Sequence, residues 1–559
     1  MNKAKEAIIK ILEKETRLED VSLEVPKDPS LGDYAFPCFV LSKEWKQNPI
    51  EIAMELAKKI KPSKFIKEVR EVGPYLNFFV NKQALAESLI KEIMKGDYGK
   101  GKSKKEKVMI EYVSPNTNKS LHLGHVRNGV LGSAVSNILE YGGYDVVKAS
   151  LNNDRGTGMT EAMLGYKMFF DGKEPKGKPD QFVAECYVKF KQAEKEDPSL
   201  KKKVQEMLLK WEDEDKETRE LWKKLTKWVY QGYKETYKKL GIKFDKEYYE
   251  SEIYKMGKDI VTEGLREGIF EKEEGAVIAP LEKFKLPNKV LIKSDGTSLY
   301  MTQDIYLAKL KYHEFKMDKS VYVVASEQDN HFRQLFKILE LLKFKLHNHL
   351  HHLSYGLVNL PSGRMKSREG TVVDADDLID EVTKIATKEI KKRHKDISLK
   401  EVEKRAEIIA LGAIKFFMLK FDNITSFTYD PEESLSFEGE TGPYVQYAHA
   451  RIASILKKAG KFKDKFNANV LNDKEDEKVI LLLSKFPEVV SESAMQYKPH
   501  IVSRYLLDLS QAFNEFYHAC PILENDEDIK EARLNLIVAV KEVLAKGLSL
   551  LGIEAPEAM

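Results

Sequence analysis

Apolar and polar positions follow two rhythms along this chain. Short apolar runs recur at residues 108–113, 144–149, 290–292, 321–325 and 355–360, with stretches of helical spacing between them. Such runs predict strands buried on both faces, and their alternation with helices predicts a doubly wound parallel sheet. The rhythm breaks from about 158 to 285. There a long, highly charged helical pattern (182–240) precedes a turn-rich segment, and we read this stretch as an insertion between two halves of the sheet. Ahead of the sheet, residues 1 to about 100 mix patterns: an amphipathic helical start, an alternating strand at 21–25, a turn-rich loop, a helix at 50–60, and a turn plus strand at 72–80. A Lys/Gly/Ser run at 99–107 reads as a linker. From about 386 onward no strand signal stands out. Leu536, Val540, Val543, Leu544 and Leu551 recur at helical spacing, which predicts an all-α bundle. The expected division is therefore 1–100, 106–385 and 386–559, an α+β unit, an α/β Rossmann-like unit with an insertion, and a helical unit.

Length and composition sharpen this picture only a little. A chain of 559 residues exceeds what one core supports. It contains no run of 18 apolar residues, and its first ten lack the apolar core of a signal peptide, so a cytoplasmic protein with no membrane contact is expected. Cys38, Cys186 and Cys520 are too few and too scattered for a disulfide framework or a zinc site. A net charge of +3 does not by itself announce a nucleic-acid partner. Basic clusters such as Lys201–Lys203 read singly as solvated helix faces.

Chemistry concentrates at Ser114-Pro-Asn-Thr-Asn-Lys-Ser-Leu-His-Leu-Gly-His125. The string lies between a predicted buried strand and a helix expected over about 126–139. There free backbone N–H groups and the helix dipole favour an anion. His122 and His125 can donate to a triphosphate, and Gly124 lets a flat base approach the backbone. A second string, Ser362-Gly-Arg-Met-Lys-Ser-Arg-Glu-Gly370, is a cationic loop between glycines, suited to closing on phosphates. Tyr300 and Asp304 stand four apart on one helical face, a spacing that suits a planar cation such as guanidinium. Gln328 follows a strand at the sheet's carboxyl edge.

The longer string E-Y-V-S-P-N-x-x-K-x-L-H-L-G-H (Glu111 to His125) resembles the arginyl version of the class I aminoacyl-tRNA synthetase signature. Arg364-Met-Lys-Ser-Arg368 resembles that class's second signature, K-M-S-K-S, with Arg364 at its first position and Ser367 in place of the second lysine. The resemblance implies ATP bound by His122, Gly124, His125, Arg364, Met365, Lys366, Ser367 and Arg368. It leaves the main triphosphate cation open among Lys119, Arg364, Lys366 and Arg368. By the same resemblance Glu111, Tyr300 and Asp304 hold a guanidinium, and Ser114, Asn116 and Gln328 hold the α-amino and carboxylate end. Asn153-Asp-Arg-Gly156 is similar to the family's N-D-W-G, with Arg155 replacing tryptophan.

Two further stretches carry the resemblance toward RNA. Gly442 to Arg451 matches the opening of the family's anticodon-reading domain, which points to Tyr444, Tyr447 and Arg451. In Gly73-Pro-Tyr-Leu-Asn-Phe78, Asn77 and Phe78 either contact an extruded base of the tRNA corner or are a turn residue and a core aromatic. The implied activity is ligation of L-arginine to tRNA(Arg) with ATP, Mg2+ accompanying the nucleotide, with no dedicated metal site, no tightly bound cofactor, and a monomer. His122, His125, Lys119, Lys366 and Arg364 would carry catalysis.

Overall fold

The computed structural model describes residues 3–359, 373–393 and 397–559. Arg364, Met365, Lys366, Ser367 and Arg368 lie outside the described residues.

In the first unit the helix Lys3–Thr16 buries Ala4, Ile8 and Leu12, one residue per turn. It packs beside an antiparallel sheet in the order Tyr34–Pro37, Tyr75–Val80, Ile66–Val72. The strand expected at 21–25 reduces to one bridge, Glu24 with Ala35. Pro26 has no N–H to extend that ladder.

The central sheet is fully parallel. Its spatial order is Leu350–Tyr355, Lys319–Ala325, Lys107–Glu111, Asp145–Asn152, Lys246–Tyr249. Numbered by chain order this is 5-4-1-2-3, so the topology reverses between Lys107–Glu111 and Lys319–Ala325. Ligands bind outside the carboxyl ends of the strands at such a reversal. Two strand expectations are corrected. Lys246–Tyr249 completes the sheet from inside the stretch read as insertion. Its two lysine and glutamate positions hide it from an apolar search, and they are tolerated because it is an edge strand. The apolar 290–292 run instead belongs to Lys289–Ile292 in a separate antiparallel sheet with Ala276–Ala279 and Glu271–Glu273. Length and hydrophobicity predict a strand but not its neighbours.

The insertion's helical part is Pro179–Glu196, Leu200–Glu212 and Lys216–Leu240. Beyond the sheet, the helices Ala375–Arg393, Leu399–Leu419, Gly442–Ala459, Lys474–Gln496, His500–Ala519 and Glu527–Leu550 form the last layer. One short strand interrupts them, against expectation: Phe427–Thr428 pairs in parallel with Val358–Asn359. Two residues leave no periodicity to read. Cys38, Cys186 and Cys520 are buried free thiols.

The helix Leu123–Tyr141 is buried around most of its circumference, between sheet and bundle. Close approach to the first strand depends on Gly132, where an added Cβ would meet Tyr112 Cγ at 2.3 Å. Gly132→Ala should therefore cost about 1–3 kcal/mol through overpacking, despite alanine's better helix propensity. Urea denaturation of the two proteins checks this, and equal midpoints would contradict the close approach.

Candidate active site

The first strand ends in a kink. Val113 and Ser114 both adopt left-handed backbone, with φ of 66° and 42°. For a β-branched valine this conformation is strained and persists only where neighbours hold it. Asn128, one turn into the following helix, supplies the hold: its Oδ1 accepts from Val113 N at 2.5 Å. Ser114 Oγ accepts from Leu151 N at 3.1 Å, so this hydroxyl also braces the neighbouring strand.

The kink delivers the chain to the histidines. His122 is the N-cap of Leu123–Tyr141, and its Nδ1 accepts from Gly124 N at 3.1 Å. His125 Nδ1 accepts from His122 N at 3.1 Å. The two rings lie 3.9 Å apart. Because each Nδ1 accepts a backbone N–H, the proton of each neutral ring sits on Nε2. Burial pushes His122 down to about 4, with Lys119 helping and Asp374 opposing, and pushes His125 well below the usual imidazole value, helped by His122 and Lys119. Both rings are thus neutral Nε2–H donors at physiological pH.

Two cavities flank this segment. One, of about 400 Å³, is lined by His122, Gly124, His125 and Asn116 on one side and by Gln328 and Asn359 on the other. It opens at the sheet's reversal point. The second, of about 630 Å³, is lined by Asn116, Lys119, Arg155, Glu250 and Tyr300, and reaches Lys201 and Gln205 of the insertion. Asn116 borders both.

The residues expected around the guanidinium are placed unequally. Tyr300 opens the helix Tyr300–Phe315, is 64% exposed, and lines the larger cavity. Asp304, one turn on, is bonded to His331 Nε2 at 2.8 Å. Glu111 is not the free carboxylate that the sequence suggested. Its Oε2 is bound by the fully buried ammonium of Lys311, which lies over the Tyr322 ring, and a buried lysine must be paired in this way. Glu250 went unread in the sequence. It is 3% exposed, its Oε1 has no hydrogen-bond partner, and burial pushes it up to about 7. It lines the same cavity as Tyr300, and Tyr300, Arg155 and Asp304 all face it electrostatically. A lone glutamate in a charged stretch carries no sequence signal; only burial without a partner reveals it.

Arg155, at the position where the resembling motif has tryptophan, packs among aromatic rings. Its guanidinium lies 4.2 Å from the Tyr254 ring centroid and 5.6 Å from that of Trp211, and it bonds Glu212 at 2.5 Å. Guanidinium-to-ring distances of this size are those of cation–π contacts.

Of the residues expected to meet RNA, Asn77 and Phe78 are buried, at 3% and 0% exposure. Period-two alternation turns Phe78 inward, so it cannot stack on a base. Tyr75 and the 47%-exposed Phe39, whose centroids are 5.9 Å apart, are the aromatics this edge presents. Tyr444, Tyr447 and Arg451 do gather: Asn514 bonds Tyr444 Oη at 3.0 Å and Arg451 at 2.8 Å, while the Arg451 guanidinium lies 4.7 Å from the Tyr447 ring centroid.

A sheet of this order with a histidine-capped helix at its reversal point, followed by a helical bundle, defines a class I aminoacyl-tRNA synthetase. Comparison with known proteins narrows the class. Residues 2–80, 87–431 and 445–559 match, in turn, the arginyl tRNA synthetase N-terminal domain, the catalytic domain of class I (R) tRNA synthetases, and the DALR anticodon-binding domain. The chain belongs to the class I arginyl-tRNA synthetase family. It is 44% identical to the arginine–tRNA ligase of Treponema denticola, over 97% of this chain and 95% of that one. It is 39% identical to that of Amoebophilus asiaticus, over 97% and 96%. The solved Thermus thermophilus arginyl-tRNA synthetase superposes with a TM-score of 0.85 at 29% identity, covering 99% of both chains.

The histidine arrangement has a pH signature. Selective 15N labelling should show His122 and His125 as neutral Nε2–H tautomers at pH 5.5, where a free imidazole is mostly protonated. Unfolded histidine takes up its proton near 6.5, so their contribution to stability is complete above that value. It is lost as pH falls toward 4. Resonances of a charged ring at pH 5.5 would contradict the tautomer assignment.

Proposed function

We propose that the two cavities hold the two halves of an arginyl-adenylate, with the α-phosphate passing between them beside Asn116. The enzyme is an arginine–tRNA ligase. The arginine carboxylate attacks the α-phosphorus of ATP, pyrophosphate leaves, and the 2′-hydroxyl of the terminal adenosine of tRNA then takes the arginyl group. The observation that carries the division of roles is Asn116, which borders both a cavity of imidazole donors and one lined by Glu250, whose buried Oε1 has no hydrogen-bond partner.

In this reading ATP occupies the smaller cavity. Gly124 leaves room for the base, and His122 and His125 donate from Nε2 to the phosphates as charge develops. Neutral donors suit this task, since they need no deprotonation or recharging through a turnover. Lys119, beside the second cavity and close enough to depress both imidazoles, supplies positive charge to the leaving pyrophosphate. Arg364 and Lys366 would act there as loop cations, with Met365, Ser367 and Arg368 completing the nucleotide contacts. Mg2+ enters as the ATP complex.

Arginine extends into the larger cavity, its guanidinium beside Tyr300 and Glu250, with Asp304, which lines neither cavity, one turn behind Tyr300 and bonded to His331. Glu111, held by Lys311, and Ser114, tied to Leu151, line neither cavity and act at one remove, by bracing the end of the first strand. Gln328 and Asn116 serve the α-amino and carboxylate end. For tRNA(Arg), Tyr444, Tyr447 and Arg451 offer stacking and charge in the helical unit, and Tyr75 with Phe39 replaces Asn77 and Phe78 at the outer corner. No described helix is long and apolar enough to cross a membrane.

The direct test is arginine-dependent ATP–pyrophosphate exchange, with and without tRNA. Exchange should require tRNA, and exchange driven by another amino acid would overturn the pocket. His125→Ala should lower the rate roughly a hundredfold with tRNA affinity unchanged. Near wild-type exchange would remove that histidine from the chemistry. Glu250→Gln should raise the arginine KM roughly tenfold to a hundredfold, the range for one lost charged hydrogen bond, while the ATP KM holds steady. An unmoved arginine KM would take Glu250 out of the pocket.

A further inference from the structure

One carboxylate that lines neither cavity gathers donors from two insertion helices. Asp376 stands in the first turn of Ala375–Arg393 and is 5% exposed. Its Oδ2 accepts from Thr236 Oγ1 at 2.7 Å and lies 2.8 Å from Lys178 Nζ, while Oδ1 lies 2.8 Å from Lys239 Nζ. Lys178 also bridges to Asp180, whose side chain is fully buried. Lys178 leads into Pro179–Glu196, and Thr236 and Lys239 belong to the last turns of Lys216–Leu240. Breaking such a buried ion cluster is costly, yet forming it adds little net stability, so its value lies in fixing position.

What it positions is the histidine segment. Immediately before Asp376, Ala375 N donates to Leu121 O at 2.8 Å, and Leu123 N donates to Val373 O at 3.1 Å. His122 thereby bridges to Asp374. Asp376 N itself bonds Asp374 Oδ1 at 2.8 Å, which locks the turn between bridge and helix. A second link leaves the same face of Lys216–Leu240, one turn earlier. Tyr233 Oη lies 3.0 Å from Asn116 O and 2.6 Å from Lys119 O. Residues 233 and 236 share a helical face, so one helix end grips the histidine segment at both its start and its finish.

We propose that Asp376 and Tyr233 are positioning residues through which the insertion helices set the placement of His122 and Lys119, making adenylate formation depend on how the insertion is held. The inference rests on the division of roles proposed above. Neither side chain touches a substrate in that division. Their effect is geometric, and a displacement of the order of 1 Å at a catalytic donor can cost up to about a hundredfold in rate.

The test uses the full-length enzyme with Tyr233→Phe and Asp376→Asn, measuring exchange at saturating tRNA, both substrate KM values, and the 15N resonances of His122. The expected result is a drop in kcat of about tenfold or more, KM values for arginine and ATP within about twofold of wild type, and a shifted His122 resonance in the Asp376 variant. Wild-type kcat in both variants overturns the proposal. So does a lowered kcat with an unmoved His122 signal in Asp376→Asn, or a loss expressed mainly in KM. Should Asp376→Asn fail to fold, Tyr233→Phe, which removes a single hydroxyl, decides by kcat alone. Failure of the wild-type enzyme to exchange pyrophosphate with arginine would instead overturn the division of roles on which the inference rests.

Discussion

The site depends first on one buried amide. Asn128 accepts from Val113 N at 2.5 Å and donates to Val323 O at 2.8 Å and Tyr355 Oη at 3.1 Å. It thereby fastens the histidine helix to the first, fourth and fifth strands at their carboxyl ends. An aspartate could not donate, and a leucine would leave Val113 N and Val323 O without this partner at a buried position. The strained Val113–Ser114 kink is held by this attachment, and Val113, Asn128 and Tyr355 all line the smaller cavity. Cooperative, fully satisfied polar groups of this kind specify one arrangement in a way that apolar packing alone does not.

Around this point the interior is unusually charged. Arg127, two residues beyond His125, is 2% exposed; it donates to the carbonyls of Asn423 and Thr425 at 2.9 Å each and lies 4.5 Å from the Phe427 ring centroid. It pins the histidine helix to the short strand that joins the bundle to the nucleotide fold. Burial lowers it to about 10, so it stays protonated at neutral pH. Lys311, which burial pushes down to about 7, on Glu111 and Asp376 among its lysines are further ionisable groups held inside the molecule. The histidine segment is reached from sheet, insertion and bundle by directional contacts, each of which leaves a buried charge or dipole stranded if it is broken. The three units are thus coupled in geometry as well as in sequence.

How legible this was depended on how local each signal is. His122, Gly124 and His125 declare themselves because strand, cap and helix lie within twenty residues. Tyr300 and Asp304 do so because four-residue spacing means one face. The doubly wound class was readable from its rhythm, but Lys246–Tyr249 was not, since an edge strand can be polar, and 290–292 was assigned to the wrong sheet because partners are chosen by distant chain. Phe78 was ambiguous for a comparable reason: alternation fixes which residues share a face, while only tertiary packing says which face is inside. Glu111 and Glu250 differ in how much of their setting is local. The first sits beside a signature but is claimed by Lys311, 200 residues away; the second sits beside nothing recognisable, and its character comes wholly from burial.

That character has a thermodynamic corollary. A carboxyl held at about 7 is partly protonated in the empty cavity near neutral pH. A guanidinium settling against it favours the ionised form, so each arginine that binds would expel a fraction of a proton to solvent. The observed heat of binding would then vary with the ionisation enthalpy of the buffer, and affinity would climb as pH rises through 7 before levelling off. Citrulline has the same length and nearly the same shape but no charge. It would bind without that proton release, so buffer dependence would distinguish recognition of charge from recognition of shape.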